Sequence, residues 1–498
     1  MKKKKYRIFH ILVLFLIAVI FSTYHYLSNS FSKINCNELL FTAKYGSGGA
    51  DNSIFLLSVL RVLPILILIF LVLFALFYDI TFGKKKVIIK EHQLYPISLF
   101  SNHKKILTSL LFLISFFLIL NCIGFFDYIS NLTKSSSIIE ENYVDPKDVK
   151  IEFSEKRNLV FILVESLETT MFTKDQGGYW DYELIPELYD LLEDKDSVVF
   201  YDKNKAQTIN MIEGSSWTTA SIVSNLSGTP LKVNFKNKIY DSNSFMNGTY
   251  ALGDLLKENG YHNELISAAR TSFGGLKEYF SSHGDYSIID ESSLADYNLT
   301  ISKKDYGKWG FNDHYLFETA KKRIDILAKE NKPFNMQLVT IDTHFIDGFV
   351  GDYSVDKYKR QYENAYATES KLIYDFVNWL KSKDYYKNTT IVIAGDHLTM
   401  QNDFFKGKNV KDRYVYNCFI NPRNKPVKSS GRSITSLDNY PTMVYAIGGN
   451  IKGDRLGLGT NLFSSNKSLP EKYGIDKFSK EIKKSSTFYN NKILSGEE

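Results

Sequence analysis

Three places along the chain set acidic side chains and histidines directly behind short apolar runs: Glu165-Ser-Leu-Glu168, Asp342-Thr-His344 and Gly395-Asp396-His397. A single acid in such a position is often only a helix cap, but three such places together point to a shared site. Asp396 and His397 offer one hard oxygen and one imidazole from adjacent positions, and Glu165 adds a carboxylate from a distant stretch. A mixed oxygen and nitrogen set suits a divalent ion such as Mn²⁺, Mg²⁺ or Zn²⁺. The segment Gly214-Ser-Ser-Trp-Thr-Thr-Ala-Ser221 supplies hydroxyls ahead of a helix-like stretch. A hydroxyl there, brought to the ion, would be a usable nucleophile at neutral pH, and the amides of the helix N-terminus would hold an anion.

These residues need elements to position them. Leu159-Val-Phe-Ile-Leu-Val164 is continuous, branched and apolar, the pattern of a strand buried on both faces of a parallel sheet, and Met336 to Ile341 and Thr390 to Ala394 repeat it. Helix-like stretches, Phe317 to Glu330 and Thr368 to Lys383, lie between them, so the spacing predicts an α/β fold with a mostly parallel central sheet flanked by helices. In such sheets ligands bind at the carboxyl ends of the strands, where the polar residues fall. The expected catalytic domain runs over 158–472, after a polar linker at 129–157 and before a polar tail at 473–498; no internal repeat is evident.

The first 128 residues read as a membrane domain with three transmembrane helices, at about 8–27, 54–77 and 106–126. The basic start, Lys2 to Lys5 and Arg7, resembles a signal peptide, but no small-residue cleavage site follows and two further spans argue for a retained anchor. Lys84 to Lys86, Lys90, Lys104 and Lys105 crowd the loop between the second and third spans, whereas Lys33 and Lys44 alone occupy the first loop. The positive-inside rule then puts everything after the third span outside the cytoplasm, a multi-pass protein of the bacterial inner or plasma membrane. Arg61, within the second span, has a stem long enough to snorkel to the interface.

A net charge of +6 over 498 residues, with both signs mixed along the polar part, gives no support to nucleic-acid binding. Only Cys36, Cys122 and Cys418 are present, so neither a disulfide framework nor a cysteine zinc site is written in the chain, as suits an exported bacterial domain without bridges.

Asn158-Leu-Val-Phe-Ile-Leu-Val-Glu-Ser-Leu-Glu168, Trp217-Thr218, Thr340-Ile-Asp-Thr-His-Phe345, Gly395-Asp-His-Leu398, Leu437-Asp-Asn-Tyr-Pro-Thr442 and Gly457-Leu-Gly-Thr-Asn-Leu462 occur in that order. The ordered set resembles the membrane phosphoglycerol transferases of the sulfatase and alkaline-phosphatase superfamily, those that decorate membrane-derived glucans and, more distantly, lipoteichoic acid synthase. The resemblance covers about residues 158–463. It implies Glu165, Asp396 and His397 as ligands of one divalent cation, Mn²⁺ or Mg²⁺, with Thr218 as fourth ligand and nucleophile, Thr219 being its rival, and His344 as a substrate contact and proton carrier. The synthase has a Trp and an Arg for the glycerophosphate where this chain reads Ser272-Phe-Gly-Gly-Leu-Lys277, which leaves Arg270 and Lys277 as substitute phosphate contacts. This chain also has three spans where the synthase has five.

The implied reaction moves phosphoglycerol from phosphatidylglycerol to a surface or periplasmic glycan through a phospho-threonine. The alternatives are a phosphoethanolamine transferase or sulfatase-type hydrolase of the same superfamily, and a non-catalytic membrane sensor or assembly subunit. No Cys-x-Pro-x-Arg segment able to mature to formylglycine is present, which counts against a true sulfatase.

Overall fold

The computed structural model describes residues 2–31, 34–45, 52–78, 87–89, 92–94, 100, 103–233, 239–241, 244–297, 299–302, 305–307 and 309–497. Lys33, Lys84 to Lys86 and Lys90, on which the orientation expectation partly rests, lie outside the described residues. Contacts divide the chain into two compact units, Met1–Cys36 with Asp51–Ser130, and Asn37–Ala50 with Asn131–Glu498.

Among the described residues, five helices open the chain: α1 (Lys2–Ser30), α2 (Cys36–Tyr45), α3 (Asn52–Tyr78), α4 (Lys104–Cys122) and α5 (Phe125–Leu132). Three of them contain stretches long and apolar enough to cross a membrane, Lys4–Ser30, Ser58–Tyr78 and Lys104–Cys122. Nineteen residues of helix span about 28 Å, close to the hydrocarbon thickness. The third ends four residues earlier than the expected 106–126, because Gly124 takes a left-handed φ of 69° and starts a new helix direction. Leu12, Leu68 and Ile106 are more than half exposed, as side chains facing lipid would be, while Leu14, Ile17, Ala18, Leu73 and Phe77 form a small core of this unit.

The second unit is built on a seven-stranded sheet. Its strands are β1 (Asn158–Val164), β2 (Ser197–Val198), β3 (His262–Ser267), β4 (Ser287–Ile289), β5 (Phe334–Val339), β6 (Thr389–Gly395) and β7 (Asn417–Ile420), arranged β2-β7-β6-β1-β5-β3-β4. The five strands from β6 to β4 run parallel, and β7 and β2 pair antiparallel at one edge, so the fold is the expected α/β type with a mixed, mostly parallel sheet. Leu159, Phe161 and Leu163 of β1 point into one apolar cluster, and Val160, Ile162 and Val164 into the other. Each of these six side chains is nearly fully buried and contributes roughly 1.5–3 kcal/mol, which explains why the strand has no polar alternation. The helices α6 (Thr218–Ser227), α7 (Asp313–Leu327) and α8 (Gln361–Lys381) belong to the layers around the sheet.

Two stretches depart from expectation. Within 129–157, expected as linker, α5 reaches Leu132, Ile138 and Ile139 are buried on the helix Ile138–Asn142, and Ile151–Phe153 pairs with Gly449–Ile451 as a small antiparallel sheet. The tail at 473–498 packs rather than frays: Phe478 and Ile482, four residues apart on Ile475–Lys483, enter the core with Tyr489, Ile493 and Leu494.

Candidate active site

Register brings the strand ends together. Gly395 of β6 pairs with Val164 of β1, and Val339 of β5 pairs with Leu163, so Glu165, Thr340 and Asp396 leave the sheet side by side. The approach is close: a Cβ on Gly395 would stand 1.9 Å from the Leu167 carbonyl oxygen, which explains the glycine before Asp396. Ser166 follows with a left-handed φ of 53°, a backbone state uncommon outside glycine. That turn lets its amide donate to Asp396 Oδ1 at 2.7 Å, while its hydroxyl donates to Glu165 Oε1 at 2.6 Å.

The second oxygens tell the rest. Asp396 Oδ1 also accepts from the His397 amide, and Glu165 Oε2 and Asp396 Oδ2 are buried with no hydrogen-bond partner. His397 Nδ1 lies 3.0 Å from the Leu398 carbonyl; a carbonyl only accepts, so Nδ1 carries a proton and Nε2 is the nitrogen turned toward the two carboxylates. Nε2 is 3.4 Å from Asp396 Oδ2 and 3.7 Å from Glu165 Oε1, and ligand atoms of the three residues all lie within 4.8 Å of one another. Two orphaned buried carboxylate oxygens beside an imidazole nitrogen fit a divalent cation. Electrostatics agree. Burial, aided by the Glu165 carboxylate, pushes Asp396 up to about 7. Burial would lower His397, but the Asp396 and Glu165 carboxylates outweigh it and hold the ring up at about 9.

Beside these three groups is a cavity of about 210 Å³, whose wall includes Glu38, Trp217, Thr218, Thr219, His344 and His397. Trp217, in extended conformation, caps α6, so Thr218 is its first residue, and the first amides of a helix have no partner within it. The two adjacent threonines differ. Thr219 is buried and donates its hydroxyl to the Gly274 carbonyl at 2.9 Å, whereas the Thr218 hydroxyl makes no hydrogen bond among the described residues. α6 is fixed in place by buried polar pairs, Ser224 with Ser436 at 2.8 Å and Ser227 with Tyr279 at 2.7 Å, and ends at Gly228.

His344 also faces the cavity. Its Nδ1 lies 2.7 Å from the Phe345 carbonyl, which makes Nε2 the basic nitrogen of the neutral ring, and Trp309 packs on it with ring centroids 4.3 Å apart. Arg270 lines the cavity, but its guanidinium forks onto Glu291 through Nε and Nη2. Lys277 is exposed and is not part of this wall.

The remaining strand-end acids serve other ends. Glu168 is fully buried against Arg413, whose Nε lies 2.8 Å from Oε2, and Asp342 faces Asp313 and Tyr353 behind the site. Sequence reasoning overlooked Trp309, which sits in a loop outside any apolar period, and Glu38, in a short stretch between two spans that was read only for its charge.

A sulfatase family model matches residues 157–448. Phosphoglycerol transferase I of Salmonella choleraesuis (strain SC-B67) is 30% identical over 328 residues, covering 64% of this chain and 40% of that protein. The Escherichia fergusonii protein of the same name is 30% identical over 319 residues, covering 62% and 39%. The chain thus spans about two fifths of the length of these curated relatives. Among solved structures, the integral membrane lipooligosaccharide phosphoethanolamine transferase A of Neisseria meningitidis aligns with a TM-score of 0.51 at 13% identity, over 89% of this chain and 84% of that one, a likeness of fold.

Proposed function

This chain belongs to the sulfatase family, and on that premise we propose that it is a membrane enzyme that transfers phosphoglycerol from phosphatidylglycerol to a glycan outside the cytoplasm. The observation that carries the proposal is the convergence of Glu165, Asp396 and His397, with two carboxylate oxygens lacking partners, near a cavity that also holds the uncommitted hydroxyl of Thr218. The relatives named phosphoglycerol transferase I supply the substrate class.

In this reading Glu165, Asp396 and His397 would hold one Mn²⁺ or Mg²⁺, with Thr218 as fourth ligand. The ion, when bound, favours the ionised threonine hydroxyl and neutralises charge on the phosphoryl oxygens. Ionised Thr218 attacks phosphorus, the bond to the diacylglycerol oxygen breaks as that oxygen takes a proton from His344 Nε2, and a glycerophosphoryl ester remains on Thr218. The first amides of α6, which begins at Thr218, would face the phosphoryl oxygens. His344 Nε2 takes the proton from the incoming glycan hydroxyl as that oxygen displaces Thr218. Arg270, steadied by Glu291, adds positive charge at the cavity wall. The three apolar helices would keep the catalytic unit tethered at a surface rich in donor lipid.

Membranes carrying the full chain, supplied with radiolabelled phosphatidylglycerol and Mn²⁺, are expected to release diacylglycerol, and Thr218→Ala membranes are not. Equal release from both would remove Thr218 from its role; release from phosphatidylethanolamine alone would replace the head group.

A further inference from the structure

The helix α2 stands in the chain between two apolar helices, yet its contacts are with the catalytic unit. Asn37 ties it down: Nδ2 donates to Glu213 Oε1 at 2.7 Å, and Oδ1 accepts from the Val233 amide at 3.3 Å. One turn on, Phe41 is 2% exposed in the core cluster, its ring centroid 6.1 Å from that of Trp217, the residue that caps α6 ahead of Thr218. Glu38 and Thr42, four residues apart on one face, therefore look into the cavity beside Thr218 and His397.

The Glu38 carboxylate makes no hydrogen bond among the described residues, and the wall around it is largely apolar, with Trp217, Phe273, Leu276, Trp309 and Phe345. A carboxylate in such surroundings is costly unless something donates to it. The cavity, about 210 Å³, is of a size to take the head group of a lipid.

We infer that α2 is a working wall of the active site and that Glu38 is a specificity residue, accepting hydrogen bonds from the donors on the head group attached to phosphorus. On the reading of the preceding section, which this inference rests on, those donors are the two free hydroxyls of glycerol. The cation groups and the α6 amides hold the phosphate, and Glu38 reads the other end. A fragment beginning after the third apolar helix keeps every cation ligand but lacks this contact.

The test is binding, independent of turnover, by the full chain in detergent with Mn²⁺, using sn-glycerol 1-phosphate, phosphoethanolamine and inorganic phosphate as probes. The wild-type chain is expected to bind glycerol phosphate about tenfold tighter than inorganic phosphate, the worth of a hydrogen bond to a charged group, and Glu38→Gln to bring the two within about twofold. Affinity for Mn²⁺ and for inorganic phosphate should not change. Phe41→Ala, which unseats α2 without touching Glu38, is expected to reproduce the loss. An unchanged preference in Glu38→Gln, or an equal loss of Mn²⁺ and inorganic phosphate, would overturn the inference. A wild-type preference for phosphoethanolamine that Glu38→Gln abolishes would instead overturn the phosphoglycerol reading and leave Glu38 as head-group reader.

Discussion

Thr219 donates to the Gly274 carbonyl at 2.9 Å, and its neighbour Thr218 donates to nothing among the described residues. Removing the Thr219 hydroxyl while keeping its shape should therefore cost stability rather than chemistry. Thr219→Val is expected to lower unfolding free energy by about 1 kcal/mol and to retain diacylglycerol release. Loss of release with an unchanged melting temperature would reverse the assignment. The sequence could not separate these hydroxyls, because adjacent threonines on a helix start look alike until the loop at Gly274 closes on one of them. The clustering groups Glu165, Asp396 and His397 could be picked out, since an acid or histidine ending an apolar strand is a local pattern. Glu168 and Asp342 carry the same pattern, and only the distant Arg413 and Asp313 reveal their other tasks.

At the scale of elements, the end of β5, the start of α7 and the middle of α8 meet in a carboxyl cluster. Asp313 of α7 accepts from the Ile341 and Asp342 amides, Asp342 accepts from Tyr353 and the Asp313 amide, and Glu369 of α8 is buried nearby. Burial, together with the Asp342 charge, pushes Glu369 up to about 8, and burial raises Asp313 and Asp342 well above the carboxylate range. A raised acid keeps in the folded state a proton that the unfolded chain gives up. Its contribution is full below the unfolded value near pH ~4.3 and is lost as pH rises through about 8. Glu369→Gln is thus expected to make the fall in stability between pH ~4.3 and about 8 shallower, with part of the fall remaining through its two neighbours. Thermal melts across that range check it, and parallel curves for both proteins would contradict it. The strands and long helices were readable because their periods are local. The buried pieces of 129–157 were not: Ile138, Ile139 and Ile151 show no period, and their partners come from the far end of the chain.

For the whole molecule, the structured unit is larger than the segment between the expected linker and tail. A fragment of residues 158–472 lacks the strand Ile151–Phe153, the buried Ile138 and Ile139, and the C-terminal Phe478, Ile482, Tyr489 and Ile493. Each lost core side chain removes roughly 1.5–3 kcal/mol, so six together are comparable to the total stability of an ordinary domain. Residues 131–497 should express as a cooperatively melting protein and 158–472 should not; equal melting of the two would show that the flanks are dispensable.

The claim on which the function depends is that Thr218 carries the transferred group. The full chain, incubated with phosphatidylglycerol and Mn²⁺, quenched in acid and digested, should yield the peptide containing Thr218 with a glycerophosphoryl group on that residue in the mass spectrum. Diacylglycerol release with this peptide unmodified throughout, or with the group on Thr219, would contradict the account.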